Sequence, residues 1–384
     1  MNIFSKLFTC LLFLTLSFSP LHGQKKDSLE IMIGQMIMGG VRDFYDTGIK
    51  QELLADIKAG RLGGIILFEK NLLPVDSKKE LASLILECQK NSNTPLLVSI
   101  DEEGGRVNRL KPKYGFHKPP SAESLGKINN LDTTRYYSGL TAKALYDLGI
   151  NVNFAPNVDV NINPDNPVIG KIGRSFSLDY QTVAAHAAAY ISGHDEYNIA
   201  TAIKHFPGHG SSKDDTHLGV ADVSETWVIE EIYPYKMLID SNVVKAVMTS
   251  HVVNRSLDES KLPGTLSNKI VNGVLRGLLG FDGVVFTDDM QMKAIADNYG
   301  LEKSIELAIN GGVDVLVFAN NVPNHDVVTV REVFDMINQM VSEGQITKQR
   351  ITESYQRITA LKGQLGLLEP NYSRKLQKRL KDLN

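Results

Sequence analysis

Eight short runs rich in large apolar and β-branched residues recur along the chain, each followed by a longer stretch of helical character. They cover residues 32–38, 62–68, 96–101, 150–155, 200–205, 246–251, 284–288 and 313–318. Most are continuously apolar rather than alternating, the pattern of parallel strands covered on both faces. Helical patterns fill residues 76–89, 133–147, 180–195, 228–240 and 293–310. Strand–helix alternation repeated eight times predicts an α/β protein built as a (β/α)8 TIM-type barrel, not an open doubly wound sheet. The chain has 384 residues, with 42% hydrophobic and 22% charged content. That suits one large soluble domain with a sizeable core. No Gly/Ser- or Pro-rich linker divides it.

Residues 1–23 read differently. One lysine precedes an apolar run from Leu7 to Phe18, and small Gly23 closes the segment. This is the layout of a secretory signal peptide, with an apolar run too short for a membrane span. The chain is therefore expected to be exported, periplasmic or secreted, with no stable membrane span after cleavage. The expected division is a signal peptide over 1–23, a catalytic barrel over 24–370 and a basic tail or helix over 371–384. Cys10 sits inside the apolar run, too early for a lipid-modified cysteine. Cleavage would leave Cys88 as the single thiol, so no internal disulfide is expected. Leu81, Leu84, Ile85 and Cys88 share one helical face, which marks Cys88 as a packing residue. A formal net charge of -3 gives no electrostatic reason for a nucleic-acid partner.

In such barrels, function sits at the C-terminal ends of the strands. Five polar clusters stand there or in the following loops: residues 101–109, 173–176, 204–217, 250–251 and 287–290. His205 and His209 have the i, i+4 spacing of a zinc pair, but Pro207 and Gly208 break any helix between them, so no metal is expected. Asp215 stands two residues before His217, and a carboxylate there can orient the imidazole and fix its tautomer. An unperturbed histidine titrates near pH ~6.5, so such a pair can give and take a proton near neutrality. Asp288 or Asp289 could act as nucleophile, base or hydrogen-bond acceptor, or could cap the helix beginning near Met292.

Together these segments resemble glycoside hydrolase family 3, in particular its single-domain NagZ-type β-N-acetylglucosaminidases, over residues 30 to 365. The carriers are Lys-His-Phe-Pro-Gly-His-Gly at 204–210 with Asp-Thr-His at 215–217, Asp-Glu-Glu-Gly-Gly-Arg-Val at 101–107, Asn-Pro-Val-Ile-Gly at 166–170 with Arg-Ser-Phe at 174–176, and Thr-Asp-Asp-Met at 287–290. The resemblance implies Asp288 as nucleophile, His217 as acid/base with Asp215 as its partner, and sugar binding by Asp101, Arg109, Arg174, Lys204 and His205. It implies no cofactor. Two departures stand out: Lys171 and Ile172 lengthen the approach to Arg174, and Glu102 occupies a position where glutamine is common.

The implied chemistry is retaining hydrolysis of terminal β-linked N-acetylglucosamine from glycans or muropeptides through a covalent glycosyl-enzyme. A neutral base in place of a second carboxylate also tolerates an anionic acceptor. Phosphorolysis at the same residues is therefore the first alternative, and a non-catalytic sugar-binding barrel the second.

Overall fold

The computed structural model describes residues 28–321 and 326–381; the expected signal peptide lies outside them. Eight parallel strands close into a barrel: β1 (Ile37–Gly40), β2 (Gly64–Leu67), β3 (Leu97–Ile100), β4 (Val152–Asn153), β5 (Ala200–Phe206), β6 (Ala246–Thr249), β7 (Val284–Asp289) and β8 (Val315–Phe318). Each pairs with its sequence neighbours, and β8 returns to β1. Each predicted apolar run overlaps one strand, and the (β/α)8 architecture is the one observed. Every residue of β1 to β6 and of β8 is buried, which explains their unbroken hydrophobicity.

The run 32–38 is a correction. Its first half is helix α1 (Leu29–Gln35), capped where the Ser28 hydroxyl accepts from Ile31 N at 3.3 Å. The strand begins only at Ile37. A helix end and a strand merge there in one apolar stretch, which periodicity alone cannot divide.

The outer layer starts with α2 (Thr47–Lys58), α3 (Ser77–Asn91), α4 (Ala122–Ile128), α5 (Leu131–Leu148) and α6 (Tyr180–Asp195). On α3, Leu81, Leu84, Ile85 and Cys88 are all buried, and burial pushes the Cys88 thiol up to about 12. It packs and does not react. Helices α5 and α6 approach closely because Gly193 has no side chain; a Cβ there would lie 2.7 Å from Arg135 O.

The segment 228–240 divides into a tight turn, Ile229–Glu231, and α7 (Tyr233–Asp240). Likewise 293–310 is two helices, α8 (Lys293–Tyr299) and α9 (Leu301–Gly311), hinged at Gly300 with φ +69°. Helices α10 (Val330–Ser342), α11 (Lys348–Gln364) and α12 (Tyr372–Lys381) complete the layer. The basic C-terminal segment is thus a helix. It buries Leu376 and Leu380 and leaves Arg374, Lys375 and Lys378 exposed. Among the described residues no helix is long and apolar enough to cross a membrane.

Candidate active site

A cleft of about 380 Å³ opens at the C-terminal ends of the strands, a size suited to a small ligand. Its floor is apolar and comes from the even strands: Ile66 of β2, Phe154 just past β4, Met248 of β6 and Val317 of β8. Below it, Phe286 packs edge-on against Phe154 at 5.2 Å. The odd strands bring the polar groups: Asp101 just past β3, Lys204 of β5 and Asp288 of β7. Alternate strands contributing alternate layers is how such barrels fill their interiors.

One wall, where Asp101 and Arg109 line the cleft, is backed by a network of paired charges. Lys204 Nζ lies 2.7 Å from both Asp101 and Glu103. Arg174 grips Glu103 with two bonds of 2.9 and 2.7 Å and donates a third to Val168 O at 2.9 Å. Burial alone would raise the Asp101 carboxyl, but Lys204 and Arg109 outweigh it and hold it below the usual range. For Glu103 burial is likewise outweighed, by Arg174 and Lys204, and its carboxyl is held far below the carboxylate range. Arg109 reaches to 3.6 Å from Asp101 with its guanidinium over the Phe68 ring.

Arg174 also donates to His205 Nε2 at 3.1 Å, so that nitrogen accepts. His205 Nδ1 therefore carries the proton and donates to buried Asp159 at 2.7 Å. The five residues expected to bind sugar thus stand together. Lys171 and Ile172 do not displace Arg174, because the chain doubles back through bonds from Lys171 N to Asn166 O and from Arg174 N to Ile169 O, each 3.0 Å.

The structure separates the two adjacent aspartates. Burial would raise Asp288, but His251, His205 and His217 hold its carboxyl at about 2, so it is ionised. It lines the cleft, and Asp289 N–H donates to its Oδ1 at 2.8 Å. Asp289 is pushed up to about 6 by burial, and its Oδ1 accepts from Gln291 N and Ala319 N at 3.1 and 3.0 Å. Neither caps the next helix, since α8 begins with no side-chain cap. Beneath them, buried His251 donates from Nε2 to Asp289 O at 3.0 Å and meets Thr265 Oγ1 with Nδ1 at 2.8 Å.

His217 sits on a loop with a pinned base. His209 N donates to Asp159 and Gly210 N to Glu231, at 2.8 and 2.7 Å; Asn166 and Asn163 hold the carbonyls of His209 and Ser212. Gly208 is required in that base: its φ is +114°, and a Cβ would lie 2.6 Å from Glu231 Cβ. Further along, Asp215 Oδ1 accepts from both the backbone N–H and Nδ1 of His217, at 2.8 and 2.7 Å. Nε2 is thereby the nitrogen left for a ligand. The His217 side chain is 59% exposed and lines the cleft beside Leu218. His209 instead is buried, pushed down to about 4 by that burial, and points Nε2 toward Thr216 at 3.4 Å. Among the described residues no group of three or more His, Cys, Asp or Glu is placed to hold a metal.

In the sequence Glu103 and His251 stand out only as members of the polar clusters 101–109 and 250–251, and Asp159 and Glu231 not at all. Asp159 and Glu103 hold the side chains expected to bind sugar, Glu231 the loop base and His251 the turn at Asp288 and Asp289. The available signal was a charged residue inside an otherwise apolar run, as at Asp159 in Asn-Val-Asp-Val.

An apolar floor beneath paired charges suits a sugar ring, with its C–H face and hydroxyl edge, and the protein is a glycoside hydrolase. Residues 28–361 match the Glycosyl hydrolase family 3 N terminal domain; the chain belongs to glycoside hydrolase family 3, among its NagZ-type barrels. It is 32% identical over 341 residues to the beta-hexosaminidase LpqI of Mycobacterium tuberculosis, covering 86% of this chain and 82% of that protein. Beta-hexosaminidase A of Pseudoalteromonas piscicida is 31% identical over 340 residues, 83% of this chain, which spans only 56% of that longer relative. Among solved structures, a family 3 beta-N-acetylglucosaminidase from Paenibacillus superposes with a TM-score of 0.79 at 31% identity, over 93% of this chain and 69% of that one. A beta-N-acetylhexosaminidase from Beutenbergia cavernae gives 0.78 at 29%, over 88% and 99%.

Proposed function

We propose that the protein is a retaining β-N-acetylhexosaminidase that removes terminal non-reducing β-linked N-acetylglucosamine. The observation that carries this is the pairing, across one cleft, of a carboxylate kept ionised with an imidazole whose Nδ1 is occupied by a second carboxylate. Asp288 attacks the anomeric carbon, the glycosidic C–O bond breaks, and His217 Nε2–H protonates the departing oxygen. His217 then takes a proton from water, which attacks the glycosyl ester and releases the sugar with retained configuration. Asp215 orients the imidazole and stabilises its cationic form before the first proton transfer and after the second. Asp101, Arg109, Arg174, Lys204 and His205 hold the sugar hydroxyls. The activities named for the relatives, beta-hexosaminidase and beta-N-acetylglucosaminidase, favour a β-N-acetylhexosaminide.

The proposed setting is export by the leader at 1–23, with glycans or muropeptides of peptidoglycan turnover as substrates. The test is a panel of nitrophenyl β-glycosides of GlcNAc, GalNAc and glucose, assayed with and without phosphate. Release from the GlcNAc glycoside, with free GlcNAc as product, is expected. GlcNAc-1-phosphate as the main product would overturn hydrolysis, and sugar binding with no turnover of any glycoside would overturn catalysis.

A further inference from the structure

Glu102 lies directly behind the wall of paired charges, only 1% exposed. Its side chain points away from the cleft into the turn formed by Asn108, Arg109 and Leu110. Oε2 accepts from Arg109 N at 2.8 Å and from Leu110 N at 3.0 Å, and Oε1 accepts from the Asn108 amide. Its own backbone is clamped as well. Asn153 of β4 receives Glu102 N–H and donates to Glu102 O, both at 3.0 Å, and Tyr190 of α6 donates to the same carbonyl at 2.9 Å. One carboxylate thus ties the end of β3 to the turn that carries Arg109.

We propose that Glu102 is a positioning residue for substrate binding, whose ionised carboxylate gathers the Asn108–Arg109–Leu110 turn and so sets how Arg109 meets the sugar. This goes beyond the five residues that touch sugar in the proposed reaction, and it rests on that reading only for the sugars used in the binding and turnover measurements.

The geometry asks for the ionised form. Three donors converge on two oxygens, and a carboxylate is all acceptor. The groups facing it from the surrounding elements leave it lightly neutralised. Tyr190 is raised well above its ordinary range, and burial pushes His194, stacked on the Tyr190 ring, down to about 3, so both are uncharged. Asn153 and Asn108 are neutral, Asp101 and Glu103 are the flanking anions, and Arg109 is the cation that acts on Glu102. Burial pushes the Glu102 carboxyl up to about 7, against the hydrogen bonds of the turn. Titration of Glu102 therefore falls in the working range of a histidine-dependent enzyme. As pH drops through that range the turn loses its anionic acceptor, and Arg109 is left with Asp101, at 3.6 Å, as its ion-pair partner.

A glutamine is sterically equivalent. Its single carbonyl oxygen can serve the two backbone N–H groups, and its amide can face a flipped Asn108. Glu102→Gln therefore keeps the turn and removes the titration, whereas Glu102→Ala removes the tie itself.

The ligand-free arm tracks the Arg109 Nε–H signal by ¹H–¹⁵N NMR from pH 5.5 to 8.5 in the intact chain. The signal should move with a midpoint near 7 in the wild type and stay still in Glu102→Gln. The binding arm measures GlcNAc affinity by calorimetry over the same range. Affinity should weaken several-fold towards low pH in the wild type, the slope should flatten in Glu102→Gln, and Glu102→Ala should bind tenfold or more weakly at every pH. In turnover of the aryl glycoside, Glu102→Ala should raise KM by a larger factor than it lowers kcat. An Arg109 signal that titrates identically in wild type and Glu102→Gln overturns the proposal, as does an alanine variant that loses kcat at unchanged KM. Absence of GlcNAc binding and of aryl-glycoside turnover in the wild type would refute the enzymatic reading, while the Arg109 titration would still decide the role of Glu102.

Discussion

Glu103 provides the sharpest test of how the charged wall is held. It is almost fully buried and serves two cations at once, Arg174 through two bonds and Lys204 through a third. Glu103→Gln keeps the shape but removes the charge, and its NH2 group turns donors toward donors. Arg174 retains Val168 O and His205 Nε2, and Lys204 retains Asp101, so the cations stay where they are, with less compensation. Removing one partner of a buried ion pair costs about 3–5 kcal/mol. With a urea dependence of about 3 kcal/mol per molar, the unfolding midpoint should fall by roughly 1–1.7 M. The pH dependence carries a sign. Because the folded-state carboxyl is depressed, its contribution is fully present above the unfolded value near ~4.3 and fades as pH falls through the folded one. The stability curves of wild type and variant should therefore run parallel, fully separated, above pH ~4.3 and converge as pH falls below it. Urea unfolding from pH 3 to 8, with KM for the aryl glycoside alongside, reads both effects. A variant that keeps the wild-type midpoint at pH 7, or that runs parallel to the wild type at every pH, would refute the reasoning.

Other expectations bear on the chemistry and the core. Asp288→Asn should lower kcat by at least ~10³-fold, while Asp289→Asn, which keeps the oxygen that accepts from Gln291 and Ala319, should cost under about tenfold; equal losses in aryl-glycoside turnover would reverse the assignment. Asp215→Asn should lower kcat by roughly 10²–10⁴-fold with little change in KM, because it removes the group that orients His217; a KM-only effect would point to a sugar-binding role instead. Lys362 is buried with no carboxylate partner among the described residues, donates to Gln35 and Gly63 O, and is pushed down to about 7 by burial. The unfolded chain binds a proton that the folded one lacks between pH ~7 and ~10.4, so wild-type stability should gain up to about 1.4 kcal/mol per pH unit across that window. Lys362→Met should lack that slope in urea titrations, and an identical slope would show another group to be responsible.

Much of this was legible in the sequence because burial on both faces forces strands to be unbroken apolar runs, and the barrel gathers the residues just past each run at one rim. Asp101, Lys204, His205 and Asp288 could be located from that rule. Family resemblance added roles that spacing could not, as with Asp288 over Asp289. What escaped has physical causes. The run containing Met32 hides a helix because a serine cap is a weak local signal beside continuous hydrophobicity. The break at Gly300 depends on a positive φ that a lone glycine does not announce. Asp159, Glu231 and His251 act through bonds to backbone and to other side chains across the fold, so their partners are far away in sequence. Glu102 was visible as a departure, but its consequence required seeing that both oxygens face the Arg109 turn.

The arrangement of floor and loop also governs traffic. Phe154, Met248, Ile66 and Val317 close the inner end of the cleft, while His217 stands on its solvent side. In the proposed reaction the departing aglycone and the incoming acceptor must then pass the same imidazole in opposite directions, one after the other. In that reaction both share one opening, and any alcohol small enough to enter after the aglycone competes with water for the sugar left behind.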